Sequence, residues 1–156
     1  MVGADFGFAH YGRTEADGDF GFGPSWQARI GAQVLPWLGF DARYFGARHD
    51  GIGALVAHGG SLDARFSLPF RLVRPYLSAG FGFYSVTAYD EDGVARVNPD
   101  PATQLPASLG VEVLLHEHIG VQAEGTYRFL FDENVPGASF ARTQLWGGTL
   151  GARAYF

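Results

Sequence analysis

Residues 25–35 read SWQARIGAQVL. Trp26, Ala28, Ile30, Ala32 and Val34 alternate with Gln27, Arg29, Gly31 and Gln33. At the two-residue period of a strand, every apolar side chain falls on one face and every polar one, with a glycine, on the other. The helical period of about 3.6 residues would mix the two sets. Pro36 and Trp37 then form a tight turn, and over 38–47 Leu38, Phe40, Ala42 and Tyr44 oppose Gly39, Asp41 and Arg43. The opening pair is therefore a β-hairpin with one apolar and one polar face.

The same alternation recurs outward in both directions. It predicts eight strands at about 2–11, 25–35, 38–47, 58–68, 75–86, 105–115, 119–129 and 143–156. Each is close to the roughly ten residues that a tilted strand needs to cross a bilayer. The turns near 35–37, 69–74 and 116–118 are short, whereas the connections at 12–24, 48–57, 87–104 and 130–142 are longer and more polar. Short and long connections in alternation are the pattern of an up-and-down barrel. With eight strands both termini share the short-turn side, which in an outer membrane is the periplasm.

The totals agree with a barrel. The chain has 156 residues, which gives one domain, 1–156. Charged residues are only 17% and aromatics 15%, too apolar for a disordered chain. No apolar run approaches the roughly 18 residues of a membrane helix. In hydrocarbon every backbone group needs an internal partner, so a closed barrel is the remaining spanning architecture. There are no cysteines, which excludes disulfides and thiolate metal sites. The net charge of −5, without a basic patch, argues against nucleic acid as a partner. An outer-membrane protein is exported, and no signal peptide precedes the first strand, so Met1 is expected to open a mature-length chain.

The charges decide which face meets lipid. Within the eight predicted strands, Asp5, Asp41, Asp63, Glu112 and Glu124, and Arg29, Arg43, Arg65, Arg128 and Arg153, all take the polar parity. An arginine on the lipid face costs about 2–4 kcal/mol at mid-bilayer, so this face is expected inside. Five acids and five bases balance there. The long connections carry ten acids against four arginines, a net −6 that supplies the chain's acidity.

An eight-stranded barrel is only wide enough for side chains to fill it, so these ten groups are expected to pack as an ion-pair network. A hairpin centred on Gly53 would set Arg43 opposite Asp63 and Asp41 opposite Arg65, and closure would bring Asp5 and Arg153 to similar depth. On the outer face Trp26, Tyr44, Phe83, Tyr127, Phe129 and Trp146 form an expected aromatic belt near the long connections, with Phe40, Phe66 and Phe156 nearer the short turns. Gly80, Gly82, Gly110, Gly120 and Gly151 either leave room in the lumen or relieve strand bends.

The last strand, Trp146 to Phe156, carries apolar residues at alternate positions counted back from Phe156, and resembles the assembly signal of bacterial outer-membrane proteins. The whole chain, with eight strands, tight turns on one side and a charged interior, is similar to the small barrels of the OmpA transmembrane-domain and OmpX group. OmpW-like barrels are the second choice. The resemblance implies insertion by the barrel assembly machinery, contact with lipid bilayer and lipopolysaccharide, and a structural, adhesive or interaction role through the loops or an envelope partner.

Chemistry leaves few candidates. Lipid A deacylase barrels carry a His-x-Ser pair, yet two places after His10, His49, His58, His116 and His118 stand Gly12, Gly51, Gly60, His118 and Gly120. No catalytic residue, cofactor or metal site is therefore expected, and a lipid-modifying enzyme ranks last. His116-Glu117-His118 offers metal donors, but alternate residues on a turn are expected to point apart, favouring a solvated turn. Asp90-Glu91-Asp92-Gly93 lacks the remaining spacing of a calcium loop and reads as an acidic tip. Phe20, Phe22, Phe131 and Phe140 are assigned to the loops, for a partner or the outer interface.

The leading expectation is a non-catalytic barrel with a closed interior. The alternatives are a small pore or a lateral path for hydrophobic molecules, marked by an apolar funnel below the long connections, and a soluble lipocalin-type barrel with the parity inverted.

Overall fold

A computed structural model describes residues 1–13, 21–51, 53–89, 102–131 and 143–156. Eight strands run in order: β1 (Val2–Arg13), β2 (Phe22–Leu35), β3 (Leu38–Gly51), β4 (Gly53–Ser67), β5 (Val73–Tyr89), β6 (Ala102–His116), β7 (Ile119–Phe131) and β8 (Thr143–Ala154). Each pairs antiparallel with the next, and β8 pairs with β1, closing the barrel. The expected eight-stranded architecture is thus what the chain adopts.

The faces are those of a membrane protein. Phe6, Leu62, Leu109 and Leu150 are each about 70% exposed, whereas Asp5 and Gln104 are fully buried. A water-soluble barrel would invert this distribution, so the lipocalin-type reading is excluded.

The strands run further than the alternation of apolar residues. Most notably, 48–51 and 53–57 belong to strands rather than to a loop: the ladder continues through Arg48↔Val56, His49↔Leu55 and Asp50↔Ala54 to Gly51↔Gly53. Apolar alternation is required only inside the bilayer, while backbone groups seek partners wherever the chain goes. Phe22 and Phe131, assigned to loops, likewise sit at strand ends and face outward. The extension brings Arg48 to the outer face. It lies four residues beyond Tyr44 on the same parity, or roughly 10 Å higher along a tilted strand, above the aromatic belt.

The β3–β4 register differs from expectation by two residues. Asp41 stands opposite Asp63, and Arg65 opposite Gly39. Gly53 opens β4 and pairs with Gly51, so the hairpin is not centred on it.

Candidate functional site in the barrel lumen

All ten charged residues expected inside are there, each no more than 8% exposed. Nine of them form a layer running from the short-turn end to mid-height. Glu124 of β7 is its hub. One carboxylate oxygen accepts from Arg43 Nη1 at 2.8 Å, Thr126 Oγ1 at 3.1 Å and Gln27 Nε2 at 3.2 Å. The other accepts from Tyr76 Oη at 2.7 Å and Arg29 Nη1 at 3.1 Å. These donors come from β2, β3, β5 and β7, so one side chain ties half of the wall together across the lumen.

Around this hub, Arg29 clasps Asp5 through Nε at 2.9 Å and Nη2 at 2.7 Å. Arg43 Nε lies 2.6 Å from Asp63, and its Nη2 donates to Ser78 at 2.7 Å. Arg43 and Asp63 therefore meet as expected side chains, but diagonally across the shifted register. Asp41 and Arg65 do not meet: Arg153 Nη2 donates to Asp41 at 3.2 Å, and Arg65 Nη2 donates to Glu112 at 2.7 Å. Asp5 and Arg153 are joined through Gln122, whose amide donates to Asp5 while its oxygen accepts from Arg153 Nε at 2.6 Å. Tyr155 donates to Glu112, and Arg65 lies 4.0 Å over the Tyr76 ring. The neutral members, Gln27, Tyr76, Ser78, Ser108, Gln122 and Thr126, share the parity of the charges. Parity is the signal that finds them once charge is no longer required.

Three aspartates are each accommodated by a glycine on the neighbouring strand. Asp63 faces Gly80, Asp5 faces Gly151 and Asp41 faces Gly31. A Cβ at any of these glycines would overlap an aspartate oxygen. Gly110 similarly receives the Tyr76 ring, and Gly120 the Glu112 carboxylate. Room for a lumen side chain accounts for these four of the five noted glycines together with Gly31, and at Gly31, Gly80 and Gly151 a Cβ would also crowd a backbone oxygen of the neighbouring strand. Gly82 instead abuts the backbone of β4.

Towards the long connections the lumen changes character. Ala9, Phe45, Ala47, Tyr84, Leu130 and Leu145 form a buried apolar cluster, with Val86 and Ala102 packed against it. A purely polar filling was expected, so this layer is a correction. Its residues continue the inner parity of β1, β3, β5, β7 and β8, above the point where the charges stop.

Arg128 lies at the boundary between the layers. Its guanidinium stacks 4.0 Å over the Phe45 ring. Among the described residues no carboxylate lies within 4 Å of it, so its expected place in the ion-pair network is not taken.

The six residues of the expected belt all lie on the outer face. Trp26 packs on Tyr44 at 5.6 Å and Tyr127 on Phe129 at 4.6 Å, while Trp146 meets Phe22 at 5.4 Å and stacks on His10 at 5.2 Å. Phe83 is 59% and Phe156 90% exposed. At the β6–β7 turn the expectation of diverging histidines is corrected. The His116 and His118 rings stack 5.6 Å apart, and one ligand atom from each of His116, Glu117 and His118 lies within 4.8 Å of the others. Strand β6 runs through His116, which keeps the two rings on one side. All three residues are exposed to solvent. Phe20, Phe140 and Asp90–Gly93 lie outside the described residues.

Comparison with known proteins places this architecture. The chain is similar in structure to Neisserial surface protein A, NspA, with a TM-score of 0.82 at 17% identity, covering 99% of this chain and 96% of that one. It is similar to Ail, the attachment invasion locus protein of Yersinia pestis (TM-score 0.61, 15% identity, 99% and 97% covered). It also resembles the N-terminal β-barrel domain of Pseudomonas aeruginosa OprF (TM-score 0.62, 14% identity, 98% and 97% covered). Identities this low speak for a shared fold alone. No curated protein matches the sequence. The family model described as outer membrane protein beta-barrel domain matches residues 1–153, nearly the whole chain, and together with the closed eight-stranded barrel and its lipid-ready outer face it shows that the chain belongs to the outer membrane protein beta-barrel family.

Proposed function

We propose that this protein is a non-conducting, non-catalytic outer-membrane barrel that acts by display, with the barrel as a rigid base and the segments joining β1 to β2, β5 to β6 and β7 to β8 as the working surface. In this reading the termini and short turns face the periplasm and the acidic connections face outward. The surrounding partners are bilayer lipid and lipopolysaccharide, the barrel assembly machinery reads the strand ending at Phe156, and an envelope or surface protein engages the connections.

The observation that carries this reading is the cross-bracing of the lumen by Glu124. An ion path would have to break at least one of its contacts to Arg29, Arg43 and Tyr76, which are all buried. Opening a buried pair leaves an uncompensated charge and is expensive, on the order of 3–5 kcal/mol. Planar-bilayer recording of the detergent-refolded protein tests it. The expected result is little or no current; stable porin-sized steps would sink the reading.

One observation favours a second reading. The apolar cluster around Phe45, Leu130 and Leu145 lies where a path for hydrophobic molecules would begin. Saturable quenching of the three tryptophans by a brominated fatty acid, lost on introducing Leu145→Glu, would support that path over display.

A further inference from the structure

Four of the five lumen arginines, Arg29, Arg43, Arg65 and Arg153, engage all five lumen acids within 4.0 Å. Arg128 is left over. It is 92% buried by its 8% exposure, and its Nε finds no acceptor. The Phe45 ring offers a quadrupole to one face of the guanidinium but no lone pair to its N–H groups.

Beside Arg128 is a cavity of about 20 Å³, whose wall includes Ala9, Ser25, Gln27, Phe45, Thr126 and Thr149. That is room for one guest of water size. Two of its polar walls are already committed: Gln27 and Thr126 both donate to Glu124. Thr149 is different. Its hydroxyl oxygen accepts from Gln27 Nε2 at 3.3 Å, leaving its own proton for another acceptor. The chamber thus presents a full positive charge and the hydroxyls of Thr149 and Ser25 beside the apolar side chains of Ala9, Phe45 and Leu145, with the acids of the adjoining layer already engaged.

We propose that this chamber is a binding site for a small monoatomic anion of the halide class, held by the Arg128 guanidinium and the Thr149 hydroxyl. Size selects the class, because a sulfate, phosphate or carboxylate needs several times the room of a water. A buried guanidinium gains most from a full counter-charge, and a water supplies only a dipole.

The test uses bromide as the probe on the detergent-refolded barrel. Crystals soaked in sodium bromide are expected to show an anomalous peak in contact with Arg128. In solution the thermal midpoint, read by the heat-dependent gel shift, is expected to be higher in bromide than in gluconate at equal ionic strength. Arg128→Met should run as a folded barrel and lose that difference. Should Arg128→Met fail to refold, Thr149→Val keeps the charge and is expected to weaken the apparent bromide affinity severalfold. Equal midpoints in the two salts, no peak in the chamber, a bromide effect that survives Arg128→Met, or an unchanged affinity in Thr149→Val would each overturn the proposal.

Discussion

The two halves of the lumen fill the same cylinder in opposite ways. From the short turns to mid-height, charged groups are held by directional bonds, and Glu124 alone takes five donors. Towards the long connections, Phe45, Leu130 and Leu145 close the space by packing. Directional bonds fix which strand faces which, because each donor has one acceptor at the right place, and a half-satisfied network is worse than none. Apolar packing tolerates more exchange, since volume is what it conserves. The lower layer therefore specifies the barrel and the upper layer seals it.

Breaking each layer separately exposes the contrast. Glu124→Ala should have the largest effect. It strands Arg29 and Arg43 without their shared carboxylate and should cost about 3–5 kcal/mol in urea unfolding from lipid vesicles. It should also raise conductance in planar bilayers. If stability falls while the membrane stays silent, closure does not depend on the network. Leu145→Ala should cost about 3 kcal/mol as a cavity substitution, with conductance unchanged because the charged layer beneath still blocks the lumen. A leak of similar size in both variants would erase the distinction between the layers. Gly80→Ala pushes a methyl group onto Asp63 and should cost about 1–3 kcal/mol, read as a lower thermal midpoint. Arg71→Ala, exposed on the short turn between β4 and β5, should change stability by less than about 0.5 kcal/mol and sets the baseline for the other three.

The lower layer was largely legible in the sequence and the upper one was not. Charges on a lipid face are so costly that their parity alone assigns Asp5, Arg29, Glu124 and the rest to the lumen. Apolar residues have no such signature: Phe45 and Leu145 continue the inner parity, but nothing in their chemistry prevents them from facing lipid. Pairing was harder still. The guess of Arg43 opposite Asp63 rests on matching opposite charges across one hairpin. The real register puts Asp41 opposite Asp63 and relieves the repulsion with Arg43 from the same hairpin and Arg153 from β8, a strand over a hundred residues away. Long side chains in a narrow tube reach diagonally and across the lumen, so partners are set by the whole cross-section. Arg128 follows the same logic. Its parity places it inside, but only the finished arrangement shows that the acids have gone to its competitors.

The aspartate–glycine facing pairs act on assembly as keys and slots. They occur at the β2–β3, β4–β5 and β8–β1 contacts, the last being the seam where the sheet closes on itself. Sliding β1 against β8 or β2 against β3 by two residues would withdraw the carboxylate from its slot and set it against Thr149 or Arg153, or against Arg29 or Gln33, each of which has a side chain, while Asp63 would meet Ser78 in one direction. Inside a bilayer no water is at hand to soothe a misplaced carboxylate, so a slipped seam has nowhere to rest, and the chain is steered towards the single alignment in which all three keys turn.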